Sequence, residues 1–447
     1  MRGRFDYIPA EKSMKLNIQK SENSIDIMTS KERLLATLNH QQPDRVCVDF
    51  GATPVTGIHV SVLNKLWQRT FGQHDYRVKV TEPYQMLGEI DPGLRDALGI
   101  DVIGTFARKS LLGTDEDGPW KPFQLFDGTG VMIHHNLNYT IDPEKGDLLV
   151  YPEGDMNYQP SARMPKNGLF FDTIVRQDPI DDDNLDVSDN TEEFKLFTPE
   201  DINYYQNRKR YIDRNPDYGS LIVIPGTAFG DIALVPAPFM KHPKGIRDIQ
   251  EWYMSPLMRR DYVYAIFEKQ CEIALQNIEV LAKIMGDSVH VAMVSGTDFG
   301  TQTGTFISCD TYRDIWKPFY IEVNKLIHEK TNWKTFIHSC GAVRDLIPDF
   351  IESGFDILNP VQVSATGMSA RELKNEFGKD IVFWGGGVDT QKTLPYGTPD
   401  EVYREVRERI DIFNNGGGFV FNSIHNIQGN VPVENVEAMF KAVRDSA

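Results

Sequence analysis

The chain has 447 residues, 40% hydrophobic and 25% charged, a balance that can bury a large core and excludes a disordered or fibrous protein. Its net charge of -17 and pI near 5.1 repel phosphate backbones and anionic membrane surfaces, so neither nucleic acid nor membrane is an expected partner. Four widely spaced cysteines, Cys47, Cys271, Cys309 and Cys340, with no CxxC pair, argue against a disulfide framework and for a reducing compartment, the cytoplasm.

In chain order, residues 1–28 read as a poorly ordered lead. Met1–Asp6 lacks the apolar centre of a signal peptide, and no apolar run approaches the ~18–20 residues of a membrane span. Residues 29–447 are expected to form one domain. Thr29-Ser30-Lys31-Glu32 is a capping box that opens a helix carrying Leu34, Leu35 and Leu38. Beyond it, short β-branched or aromatic runs alternate with helical stretches in the order strand, loop, helix, the pattern of parallel βα units. The predicted strands are Val46–Phe50, Asp101–Thr105, Ser220–Pro225, Val289–Val294, Lys334–His338, Phe355–Asn359, Ile381–Trp384 and Gly418–Asn422. Eight such strands predict an α/β fold, a (β/α)8 TIM barrel.

Between the second and third strands, residues 107–217 are too many for one crossover. Pro122–Phe126 and Gly130–Tyr139 flank the turn signal Asp127-Gly128 and predict a β-hairpin insertion. Ile180–Asn184 is acidic loop, and Thr198-Pro199 starts a helix, Thr198 as N-cap and Pro199 in its first turn. Val402, Val406 and Ile410, four residues apart, are a packing face without chemistry.

In such a barrel, function gathers where strands end and βα loops begin. There the sequence sets Asp49 with Gly51, Gly104 with Thr105, Gly226 with Thr227, Asp298 with Gln302, His338 with Cys340, Asn359 with Gln362, Gly385–Gly387 with Asp389, and Asn422 with His425. His338 and Cys340 stand at i and i+2 of an extended run and so share a face. Neutral imidazole and thiolate are zinc's preferred ligands, so this short stretch offers half of a tetrahedral site. A buried thiol beside a hydrogen-bonded imidazole is the competing reading.

His425 follows the last strand, three strands round the ring from His338. It is either a third metal ligand, leaving a fourth position open or carboxylate-filled as in catalytic zinc, or a general acid without metal. Asp298 is a candidate base or ligand-orienting carboxylate, competing with a turn role, and Asp389 is expected to face the site beyond a glycine bend. Gln302, Asn359, Gln362 and Asn422 are candidate substrate-binding residues. Glu82 is a possible further metal ligand or simply surface charge, and His134-His135, adjacent in an alternating segment, face opposite sides and cannot chelate together.

These segments resemble the uroporphyrinogen decarboxylase superfamily, which includes zinc-dependent methyltransferases acting on methylcobalamin. Phe336-Ile337-His338-Ser339-Cys340-Gly341 is similar to the methyltransferases' HxC zinc segment, and Gly385-Gly386-Gly387-Val388-Asp389 to the decarboxylases' QGNxDP loop. Asn422-Ser423-Ile424-His425-Asn426, followed by Val431-Pro432-Val433-Glu434-Asn435, resembles their NxGHG…PxEN ending. Leu35-Ala36-Thr37-Leu38-Asn39-His40 and Pro43-Asp44-Arg45-Val46 are similar to the superfamily's opening. Two departures matter. Asp49-Phe50-Gly51-Ala52-Thr53 has no arginine where decarboxylases hold substrate carboxylates, and His425 stands where the methyltransferases carry a second cysteine.

The resemblance implies a zinc-dependent methyltransferase that moves a methyl group between a corrinoid carrier and a small-molecule acceptor or donor. His338, Cys340 and His425 would hold Zn2+, and Asp298, Asp389 and His425 would do the catalytic work. A separate corrinoid protein and a homodimer are the implied partners. The alternatives are a decarboxylase of tetrapyrroles or smaller acids and a non-catalytic corrinoid- or porphyrin-binding protein.

Overall fold

The computed structural model describes residues 28–446. The expected N-terminal lead lies, apart from Met28, outside the described residues. The first helix, Ser30–Leu38, begins with the expected capping box, in which the Thr29 hydroxyl accepts from the Glu32 N–H and the Glu32 carboxylate accepts from the Thr29 N–H.

Eight parallel strands follow: β1 (Cys47–Val48), β2 (Val102–Thr105), β3 (Gly219–Val223), β4 (Val291–Ser295), β5 (Lys334–His338), β6 (Ile357–Asn359), β7 (Val382–Trp384) and β8 (Phe419–Phe421). They are hydrogen-bonded in the order β1-β8-β7-β6-β5-β4-β3-β2. With helices such as Arg260–Met285, Lys317–Lys330, Pro399–Phe413 and Val433–Arg444 between or after them, this is a (β/α)8 TIM barrel.

No backbone ladder joins β1 to β2. Asp101, the residue before β2, closes that seam: its N–H donates to the Val48 carbonyl at 2.8 Å and its carboxylate accepts from the Val48 N–H at 2.9 Å. Asp356 does the same before β6, accepting from the Thr335 N–H at 2.9 Å. Carboxylates thus replace ladder partners at two strand starts, which is why β2 and β6 begin later than their apolar patterns predict.

Strand alternation sets the two cores. Cys47, Val102, Leu221, Val291, Met293, Phe336, Ile357, Val382, Trp384 and Val420 fill the barrel, closed below by Leu34 and Leu38 of the first helix. The intervening Val48, Ile103, Ile222, Ala292, Ile337, Leu358, Phe383 and Phe421 pack against the outer helices, as do Val402, Val406 and Ile410. The inward face of β5 runs through Phe336 to His338, so the period-two rule aims that imidazole into the mouth.

Between β2 and β3, Trp120–Gln124 pairs antiparallel with Gly130–His134 across a turn holding Asp127 and Gly128. A four-stranded antiparallel sheet, not among the predicted elements, follows, formed by Tyr139–Ile141, Leu148–Val150, Ala162–Met164 and Asp172–Thr173. Thr198 caps the helix Pro199–Asp213 as expected. Glu82 sits in a small hairpin, Val80–Glu82 with Leu87–Gly88, and its carboxylate accepts from the N–H groups of Tyr84 and Gln85. No helix among the described residues is long and apolar enough to cross a membrane.

Candidate functional site

His338, Cys340 and His425 meet at the barrel mouth: one ligand atom from each lies within 4.8 Å of the other two. The two imidazoles are edge-on, their centroids 5.7 Å apart and their planes at 69°. Cys340 Sγ is 3.4 Å from His338 Nε2.

Asn359, at the inward end of β6, fixes the tautomer of His338. Its Nδ2 donates to the Trp384 carbonyl at 2.8 Å, so its Oδ1 must face His338 Nδ1, 2.6 Å away. Nδ1 therefore carries the proton and Nε2 turns a lone pair toward Cys340, the arrangement by which outer hydrogen bonds orient a metal-ligating histidine.

The Cys340 loop is held on three sides. The Cys340 N–H donates to Asp298 Oδ1 at 2.6 Å, the Gly341 N–H to Gln362 Oε1 at 2.8 Å, and the Ser339 N–H to the Asn359 carbonyl at 2.7 Å. Gly341 has φ +91°, and a Cβ there would lie 2.4 Å from the Gly300 carbonyl carbon, so only glycine lets the loops after β4 and β5 approach this closely. After β8, Asn426 accepts from the Gly57 N–H and donates to the Pro54 carbonyl and Gln85, tying the His425 loop to the loop after β1.

Burial keeps both imidazoles neutral: His425 is pushed down to about 3, the neighbouring His338 adding to the effect, and His338 is also lowered. Burial raises the Cys340 thiol well above its ordinary range, reinforced by the Asp298 charge. Two neutral imidazoles and a thiol suit a borderline-soft cation. The 3.4 Å Sγ–Nε2 edge is close to the about 3.6 Å separating sulfur and nitrogen ligands on a tetrahedral zinc. The donor set fits the metal that the sequence implied.

The other expected site residues divide. Asp298 joins the triad, its Oδ1 3.8 Å from His338 Nε2. Asn359 and Gln362 also belong here, bracing His338 and Gly341. Asn422 donates to the Asp49 carbonyl, and its buried Oδ1 has no partner among the described residues. Asp389 does not reach the triad's hydrogen-bond network; its Oδ1 accepts from the N–H groups of Gln391 and Lys392, a turn-capping role. Gln302 is exposed, its nearest side-chain partner Gln391 at 3.5 Å.

Asp49 was read only as a strand-end residue, and two further groups, Asp231 and Tyr253, escaped the sequence reading. Asp49, buried, accepts from Trp384 Nε1 at 2.9 Å, and desolvation raises it to about 7. Asp231, on the loop after β3, is likewise raised to about 7 by burial, with the Asp298 charge contributing. Tyr253, on the helix Ile249–Met258, has a buried hydroxyl without a hydrogen-bond partner. Asp231 was legible: it lies four residues beyond the Gly226-Thr227 pair, in the same βα loop. Tyr253, inside a helix, gave no local signal.

Comparison with known proteins bears on this arrangement. The profile of the Uroporphyrinogen decarboxylase (URO-D) family matches residues 244–446. A methylated-thiol--coenzyme M methyltransferase from Methanosarcina mazei is 24% identical over 148 residues, 32% of this chain and 35% of the relative, so the match spans about a third of that protein's length. A solved methyltransferase from Methanosarcina mazei superposes with a TM-score of 0.51 at 16% identity, over 94% of this chain and 99% of that one, a likeness of fold. The family match thus covers the part of the chain that carries β4 to β8, and the barrel as a whole is shared in architecture with the solved methyltransferase.

Proposed function

We propose that this chain is a zinc-dependent methyltransferase exchanging a methyl group between a corrinoid carrier, presented by a separate protein, and a small thiol or other methyl acceptor or donor. The observation that carries this reading is the convergence of His338, Cys340 and His425, from loops three strands apart, on one point. The methyltransferase match in Methanosarcina mazei supports it, as does the absence of arginine from Asp49–Thr53, where a decarboxylase of polyacidic tetrapyrroles needs bidentate partners.

His338, Cys340 and His425 would hold the metal, with Asp298 beside them. Bound there, zinc lowers the pKa of a coordinated thiol so that a thiolate exists at neutral pH. The chain's own groups do the rest. Asn359 keeps His338 Nε2 unprotonated, and Gln362, Asp298 and Ser339 hold the Cys340 loop so that the sulfur does not swing away. Asp298 Oδ1, 3.8 Å from Nε2, places a carboxylate oxygen beside the triad. Methyl displacement then needs mainly alignment of donor and acceptor over the mouth.

The test is metal analysis of purified protein with a methyl-transfer assay using methylcobalamin and a panel of thiols. Zinc near one per chain, lost together with transfer in Cys340→Ala, is the expected result. Full turnover by metal-free protein, or carbon dioxide release from a carboxylated substrate without metal, overturns the proposal.

A further inference from the structure

Away from the triad, the insertion between β2 and β3 closes a cavity of about 170 Å³ over the first turn of the helix Val60–Phe71. His59 and Ser61, both buried, form its floor, Leu125 and Leu169 its walls, and Phe126 and Asp127, both exposed, its rim. Ser61 is 0% exposed, and its hydroxyl has no hydrogen-bond partner among the described residues. Asp127 Oδ1 accepts from the Thr129 N–H at 2.8 Å, and no lysine or arginine pairs with this carboxylate among the described residues. Partial burial pushes its carboxyl up, but the nearby Ser61 hydroxyl and the Thr129 N–H outweigh that and keep it ionised.

A helix N-terminus ordinarily attracts an anion through its free N–H groups. Here they are taken. The Val60 N–H donates to the Met86 carbonyl at 2.9 Å, the Ser61 N–H to His59 Nδ1 at 3.2 Å, and the Val62 and Leu63 N–H groups to the His59 carbonyl at 3.0 Å. His59 offers nothing further, because Nδ1 accepts from Ser61 and Nε2 donates to the Leu169 carbonyl at 2.8 Å. What remains is a hydroxyl on the floor, a carboxylate at the rim and hydrocarbon between them. An anion finds no donor and is repelled by Asp127, and a metal ion finds one carboxylate where it needs several oxygens. A primary ammonium suits the set: separate hydrogens reach Asp127 and Ser61, while its hydrocarbon covers Leu125, Phe126 and Leu169. An apolar cavity of about 150 Å³ holds a benzene ring, so the hydrocarbon is of about that size.

We propose that this cavity is a binding site for a primary ammonium group carried on a small hydrocarbon, an alkyl- or arylalkylamine, with its nitrogen between Ser61 and Asp127. The site goes beyond methyl transfer and does not depend on it, since none of its residues belongs to the hydrogen-bond network of the triad. It does adjoin the loop after β8: the His59 N–H donates to the Ile427 carbonyl at 2.8 Å, and a Cβ at Gly429 would lie 2.7 Å from His59 Nδ1. An occupant thus links the insertion to the segment that carries His425.

Ligand-observed NMR titration of the full-length protein at pH 7 tests this with benzylamine, benzyl alcohol and benzoate, one ring carrying a cation, a neutral group and an anion. Benzylamine should bind about fivefold tighter than the alcohol, the increment of a solvent-accessible ion pair, and benzoate should bind weakest. Asp127→Asn, at an exposed position, should bring benzylamine level with the alcohol, and Ser61→Ala should weaken both severalfold. Cys340→Ala should change neither. Binding by none of the three probes, equal affinity for all three, tightest binding of benzoate, a preference that survives Asp127→Asn, or affinities unmoved by Ser61→Ala overturns the proposal. Loss of benzylamine binding in Cys340→Ala overturns it as well, because that would place the amine at the barrel mouth.

Discussion

At the level of single residues, the triad depends on side chains outside it. Asn359 is the clearest: with Oδ1 on His338 Nδ1 and Nδ2 on the Trp384 carbonyl, it leaves that imidazole only one tautomer. Asn359→Ala should weaken zinc binding by about 10–100-fold without unfolding the barrel, read by competition with a chromophoric chelator. Asp49 makes a pH prediction. The folded carboxyl keeps its proton up to about pH 7, because burial disfavours the anion, while in the unfolded chain it ionises near 3.9. Between those values the folded state binds more protons, so Asp49's contribution is fully present below about pH 4 and is lost as pH rises through 7. Wild-type stability should therefore fall between pH 5 and pH 8 by about 2–4 kcal/mol relative to Asp49→Asn, measured by urea unfolding at both pH values.

At the level of elements, two barrel strands begin with an aspartate acting as a ladder partner, and one of these closes the ring. The Asp101 carboxylate takes the Val48 N–H together with Arg33 Nη1 at 2.6 Å, Arg45 at 2.8 Å and the Ser30 hydroxyl at 2.6 Å. Asp101→Ala should cost about 3–5 kcal/mol in denaturant unfolding, since Arg33 is buried and would keep only Asp44, while Asp101→Asn, which retains an acceptor for Val48, should cost less. That balance explains what the sequence could disclose. All eight strands were legible because each lies in a short β-branched or aromatic run bounded by loop residues, and β5 matched residue for residue, from Lys334 to His338. The four-stranded sheet after β2 was illegible because its strands are two or three residues long and partly exposed, Ile141 at 60%, so its pairing is set by distant partners and not by local periodicity.

At the level of the whole molecule, the candidate site joins loops that nothing in the sequence places together. His338 and Cys340 could be paired from their spacing, and His425 could be added only by counting strands round a closed ring; Tyr253 required coordinates because tertiary packing alone brings it near Asp298. A bridge between the loops after β5 and β8 ties the last four strands of the barrel, so metal bound there stabilises the folded state and not the unfolded one. At zinc about 100-fold above its dissociation constant the gain is about 2.7 kcal/mol, or about 3 °C in unfolding midpoint for a chain of this size. The sign of its pH dependence follows from the ligands. His338 and His425 are already neutral at pH 7, held there by burial, so zinc displaces a proton only from Cys340. The zinc-induced shift should accordingly grow from pH 6 to pH 8, with apparent affinity rising about tenfold per pH unit, and isothermal calorimetry in buffers of different ionisation enthalpy should count about one proton released per ion. Cys340→Ala should show no shift at any pH; a shift equal to wild type in that variant would place the zinc elsewhere in the molecule.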